Sequence, residues 1–145
     1  MKHCTIYSKK IDYSIIREIK QMFQSASVTI DGDEIYWNAI TINEGSQALK
    51  ISSKMRVQPG DEFSKIVMGS YTHFKKLPVR QPSFDKEALL KNLPKTEWLL
   101  GIVSEPGFDV ESHERAILQI TKQLGGFIFD GSAVLASNGD VLMGD

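Results

Sequence analysis

An α+β fold, with a mixed or antiparallel sheet and helices mainly on one face, is predicted by three observations. Trp98-Leu99-Leu100-Gly101-Ile102-Val103 is a continuous apolar run, the pattern of a strand covered on both faces. The stretch from Val110 to Leu124 carries Val110, His113, Ile117, Ile120 and Leu124 at three- and four-residue steps, the period of a helix with one apolar side. Between Ser27 and Ser52, strand-like runs are joined by turns too short for a crossover helix, so neighbouring strands there must be antiparallel.

The elements follow in order. Cys4-Thr5-Ile6-Tyr7 leans to strand, and Asp12 then offers a cap to a helix whose Ile15, Ile16, Ile19, Met22 and Phe23 share a face. Ser27–Ile30 reads as a strand, Asp31-Gly32 as its turn, and Ile35–Ile42 as a longer strand with bulky residues on both sides. Asn43–Ser46 turns the chain into Gln47–Ser52, where Leu49 and Ile51 alternate with polar neighbours. Pro59-Gly60-Asp61 starts a helix carrying Phe63, Ile66, Val67, Tyr71 and Phe74, which Gly69-Ser70 weakens. Leu77–Pro82 cannot stay helical, because each proline removes an amide donor, and should run extended over the surface. A short helix from Asp85 to Asn92 and a break at Leu93-Pro94 lead to Trp98. After the long helix, capped by Asp109 and stopped by Gly125-Gly126, Phe127–Phe129 and Ala133–Leu135 form strands around Asp130-Gly131.

By length, the 145 residues make a single domain. Its two ends, residues 1–52 and 97–145, share an order of elements and an Asp-Gly after the strand that follows the helix, and a mainly helical middle joins them. The β-α-β-β halves resemble ferredoxin-like units in outline. That resemblance is architectural and carries no function, because such folds host many unrelated activities.

Seventeen basic and eighteen acidic side chains leave a net charge of −1, which disfavours nucleic acid as a partner, since phosphate binding needs a basic face. No apolar run approaches the roughly 20 residues of a membrane span, and Met1–Tyr7 lacks the apolar stretch of a signal peptide. A soluble, cytoplasmic protein is therefore expected. The single cysteine, Cys4, cannot form an internal disulfide, and in a strand it should behave as a small hydrophobe.

No metal or cofactor signature is present. His3, His73 and His113 form no His-x-x-x-His pair, and His113 reads as a hydrogen-bonded packing residue. Asp31-Gly32-Asp33-Glu34 concentrates carboxylates, but Ile35, Trp37 and Ala39 stand where a calcium loop needs oxygen ligands, so a hairpin turn is expected. Gly125-Gly126 closes a helix and lacks the spacing of a dinucleotide loop, and no Gly-x-Ser-x-Gly elbow occurs. No metal ligands, cofactor or catalytic residues are assigned.

The densest recognition chemistry is Tyr71, His73, Lys75, Lys76, Arg80 and Gln81 beside two prolines. Tyr71, His73 and Arg80 are the candidate binding residues: arginine holds a carboxylate with paired hydrogen bonds, tyrosine adds a rigid ring, and histidine gains charge near neutral pH. An acidic protein or acidic small molecule is the ligand they imply. The expected function is a non-catalytic binding or regulatory protein, of which an immunity-type, partner-inhibiting protein is one form. The alternatives are a small enzyme with a dispersed site and a structural homo-oligomer. A homodimer is expected, because Tyr36, Trp37, Ile40 and Ile42 alternate along one strand while a single helix layer covers one face of a sheet.

Overall fold

In a computed structural model that describes residues 3–58 and 60–145, eight strands and four helices form in the α+β arrangement. In chain order they are β1 (His3–Ser8), α1 (Ile15–Met22), β2 (Ser27–Gly32), β3 (Trp37–Glu44), β4 (Gln47–Met55), α2 (Glu62–Lys75) and α3 (Lys86–Asn92). A short 3-10 turn at Leu93–Lys95 leads into β5 (Trp98–Ser104), α4 (Val110–Leu124), β6 (Phe127–Phe129), β7 (Ala133–Leu135) and β8 (Val141–Gly144). All eight strands join one antiparallel sheet in the order β2-β3-β4-β5-β1-β6-β7-β8.

The centre of the sheet is built from the two most apolar strands. β1 pairs with β5 from His3↔Val103 to Ser8↔Trp98 and with β6 from Thr5↔Phe129 to Tyr7↔Phe127. Side chains alternate across a strand, so neighbouring residues enter different layers. Ile6, Leu100, Ile102 and Ile128 lie in one core with Ile15, Ile16 and Ile19 of α1 and Ile117, Ile120 and Leu124 of α4. Tyr7, Leu99, Val134 and Met143 lie in a second core with Phe63, Val67 and Phe74 of α2 and Leu93. The helices are thus divided between both faces, where the sequence pattern suggested mainly one. The cause is visible in β5, whose unbroken apolar run requires cover on each side.

The second layer is incomplete. It covers the sheet from β5 towards β8, while towards β2 the same face shows Ser27, Thr29, Asn43, Lys50 and Ser52 to solvent. The large apolar residues of β3 and β4 sit in or against the first core instead, Ile40 and Ile42 opposite Ile51 and Leu49. Alternation should have put Trp37 on the other face from Ile40. A β-bulge prevents this: the register with β2 passes from Asp31↔Ala39 to Gly32↔Trp37, so Asn38 is the extra residue. Trp37 therefore joins Ile40 and Ile42 and meets Trp98 edge to face, ring centroids 5.7 Å apart. This corrects the argument for a dimer: of the four side chains it relied on, Trp37, Ile40 and Ile42 lie in the first core with α1 and α4, and only Tyr36 is exposed.

The two ends of the chain share an order of elements but not of space. After α4 the chain enters β6 beside β1 and runs outward, so β1 stands between β5 and β6 in a split β-α-β unit. After α1 it goes to the far edge at β2 and returns inward through β3 and β4. The two halves interlock, each contributing a strand to the middle of the other.

Some boundaries moved. The Asp31-Gly32 turn is the end of β2, and the chain reverses at 33–36. Val110 is exposed, and α4 instead buries Ala116 and Thr121 beside the expected residues. β8 was not foreseen. Leu77–Arg80 does not simply cross the surface: Val79 bridges Met143, Arg80 N–H donates to Leu142 O and Gly144 N–H to Pro78 O. Of the turn proposed at Pro59-Gly60-Asp61, Pro59 lies outside the described residues, and Asp61 caps α2 by accepting from Ser64 N–H at 3.0 Å.

The junction of α4 and β6 is closely packed against the central strand. A Cβ on Gly126 would lie 2.1 Å from the Tyr7 carbonyl oxygen, a backbone atom of the central strand. Gly126→Ala is expected to lower unfolding free energy by about 1–3 kcal/mol or more through forced overpacking. Gly125→Ala meets open space and pays only for its left-handed backbone (φ 64°), about 1 kcal/mol. Urea unfolding of the two variants should rank them in that order.

Candidate functional site

The most exposed aromatic surface is made at the reversal between β2 and β3. Gly32 takes φ 113°, and a Cβ there would come within 2.4 Å of Tyr36 O, so only glycine lets the chain fold back so closely. Asp33 then locks the turn. Its N–H donates to Tyr36 O, and its carboxylate accepts from Ile35 N–H at 2.8 Å and Tyr36 N–H at 2.6 Å. Those bonds from Tyr36 and Ile35 hold the Asp33 carboxyl below its ordinary pKa, so the turn carries a fixed negative charge.

Stapled by these bonds, the turn lifts Ile35 and Tyr36 into solvent at 53% and 67% exposure. Tyr13, 46% exposed, brings its ring edge-on to Tyr36 with centroids 6.4 Å apart. Asp31 and Glu34 add carboxylates beside the rings, and Lys20 bridges Glu34 at 3.1 Å, with both partners in solvent. The result is a stapled apolar knob beside the carboxylates of Asp31 and Asp33, with Arg17 and Lys20 grouped around Glu34. The sequence carried a signal for it: an aspartate two residues before Ile35-Tyr36 is the spacing for a carboxylate to cap the following amides. That signal was hidden because Ile35 read as the start of a strand.

Tyr71, His73 and Arg80 are placed on separate supports. Tyr71 is half-buried and packs against the second core. His73 is exposed on α2 and sets its ring edge-on to Phe129 at 5.5 Å. Arg80 is exposed, on the segment bonded to β8. Among the described residues no hydrogen bond, ion pair or ring contact joins any two of the three.

A cleft of about 300 Å³ opens on another side of the molecule, between α3 and the end of α4. Tyr7, Phe84, Leu89 and Phe127 give it apolar walls, and Lys9 and Asp85 stand among its lining residues. Tyr7 stacks on Phe127 at 4.9 Å and bonds Ser70 Oγ at 2.6 Å; burial raises its pKa. Its hydroxyl is thereby committed to the packing of α2.

The other ionisable groups with displaced pKa values serve local structure. The Ser112 hydroxyl and N–H lower the Asp109 pKa, the Ser64 N–H lowers that of Asp61, and the Ser14 hydroxyl lowers that of Asp12. In Asp130, burial opposes ionisation but the N–H groups of Ser132 and Ala133 prevail. Burial drives the Cys4 thiol up to about 12, which leaves it uncharged and unreactive at neutral pH. Among the described residues no group of three or more His, Cys, Asp or Glu side chains is arranged to hold a metal ion. No described helix is long and apolar enough to cross a membrane.

Comparison with protein families, curated proteins and solved structures finds no match to this chain. Its function has to be argued from its own geometry.

His113 is the packing residue its place on the α4 face implied. It is buried, with Nδ1 2.7 Å from Ser104 Oγ, while Nε2 has no partner. Burial lowers its pKa from the ordinary 6.5, so the unfolded chain takes up the proton more readily than the folded one. Stability held by neutral His113 is complete above the unfolded value and is lost as pH falls below it. The urea midpoint should therefore drop between pH 7 and about 5.5. The drop should be smaller in His113→Leu, and an equal drop in both proteins would remove His113 as its source.

Proposed function

We propose that this protein is a non-catalytic binding protein that recognises a basic protein surface through the knob formed by Tyr13, Ile35 and Tyr36. The observation that carries this reading is the exposure of three large apolar side chains side by side, Tyr13 together with Ile35 and Tyr36, the last two on a turn whose N–H groups at Ile35 and Tyr36 are held by the Asp33 carboxylate. Ordering costs are among the main terms opposing association, and a preformed turn has met them before the partner arrives. Tyrosine is enriched at binding hot spots because it combines a rigid ring with a polar tip. The carboxylates of Asp31 and Asp33 beside the turn favour a positively charged partner and speed encounter, while Glu34 is already paired with Lys20. A partner-inhibiting, immunity-type protein is the form of binding protein that a rigid knob suits, since such a knob fills a partner's cleft without rearranging.

The reading is tested by NMR titration with lysine- and arginine-rich peptides, and with acidic peptides of equal length. Basic peptides should shift the amides of Tyr13, Ile35 and Tyr36 and saturate, with the effect shrinking at high salt. Tyr36→Ala, which removes an exposed side chain, should keep the fold and weaken binding by about tenfold. Arg80→Ala should bind as the wild type does. If acidic peptides bind instead and Arg80→Ala abolishes it, the Tyr71, His73 and Arg80 surface is the site and the knob is not.

A further inference from the structure

We infer that the free edge of the sheet at β2 is a self-pairing edge that joins a second copy of this chain in antiparallel register, with Thr29 opposite Thr29 of the copy. The two edges of the sheet are treated differently. At β8 the connector from α2 lies alongside, with Val79 bridging Met143 and bonds from Arg80 N–H and Gly144 N–H, and Pro78 and Pro82 flank it. Proline at a sheet edge blocks further strand addition. β2 has no such cover. Among the described residues it pairs only with β3, so alternate residues direct N–H and C=O groups outward.

The side chains of β2 suit a copy of themselves. The bulge at Asp31/Gly32 limits regular pairing to Ser27–Asp31, five residues centred on Thr29. A twofold axis at Thr29 sets Ser27 opposite Asp31, Val28 opposite Ile30, and Thr29 opposite itself. Each pairing is compatible: a hydroxyl meets a carboxylate, two apolar side chains meet on one face, and two threonines meet on the other. The aspartates are kept apart, which a register shifted to centre on Asp31 would not do. Val28 and Ile30 are half-buried at the rim of the first core, and the copy's Ile30 and Val28 would complete their cover. On the other face, Thr29 already lies beside Thr41, so the pairing continues a row of threonines across the axis. A five-residue strand pair buries a modest area, so the dimer forms with rising concentration and is not permanent.

The mass of the intact protein is followed by light scattering over a concentration series. Mass should rise from that of one chain towards that of two. Thr29→Lys sets like charges opposite one another on an exposed position, and should weaken association about fivefold at low salt and less at high salt. Under mild oxidation Thr29→Cys should give a disulfide-linked dimer, whereas Val141→Cys on the covered edge should not; the native Cys4 is buried and does not compete. A single-chain mass at every concentration would overturn the inference. So would a dimer indifferent to Thr29→Lys, or one cross-linked as readily through Val141→Cys.

Discussion

The fold depends on β1 lying between β5 and β6. This one placement ties residues near position 5 to residues near 100 and near 128, and makes the two ends of the chain inseparable. Each contact closes a long loop of chain, and the entropy lost in closing it must be offset by what the paired strands bury. β1 and β5 can meet that cost because both bury side chains in two directions. Ile6 and Tyr7 are adjacent in sequence and enter different cores, as do Leu99 and Leu100. The helices follow: α1 and α4 cover one face of this centre, and α2 with the turn at Leu93 covers the other.

The outer strands are governed by a different economy of burial. Towards β2, one helix layer has to hold all the apolar side chains, since the opposite face is open to water. The bulge at Asn38 allows it. One extra residue turns Trp37 onto the same side as Ile40 and Ile42, and the same irregularity tightens the path into the turn at 33–36. The core and the exposed knob are therefore two results of one local shift in register. Gly32 and Asp33 hold that shift, the first by allowing close approach of backbone, the second by supplying its carboxylate to two amides.

Charge is distributed to match. The displaced carboxylates bond backbone amides or serine hydroxyls at caps and turns, where their pKa values fall because the ionised form is the one being bonded. Asp33 is among them, yet it sits at the foot of two exposed apolar residues. The turn that Asp33 staples thus also presents Ile35 and Tyr36 to solvent.

Much of the architecture was determined by the sequence alone. Apolar period gave away α1, α2, α4 and the two-faced β5, and Asp61 and Asp109 announced their helices because capping is a local transaction between a side chain and nearby amides, whereas Asp12 does not cap α1 and bonds Ser14 N–H and Oγ ahead of it. Cys4 and His113 were readable as packing residues for the same reason: their neighbours in period are apolar. What only the tertiary structure decided was set by partners distant in sequence. β8 is too short to be legible, and exists because β7 and the connector at Val79 pair with it on either side. The division of helices between two faces, the inward turn of Trp37 and the exposure of Tyr36 depend on register. Register is fixed by which strands lie side by side, and one residue of slip exchanges core for surface. Tyr71, His73 and Arg80 are close in sequence, and the fold holds them by separate contacts, because a helix, its exposed flank and a β-paired connector have different neighbours.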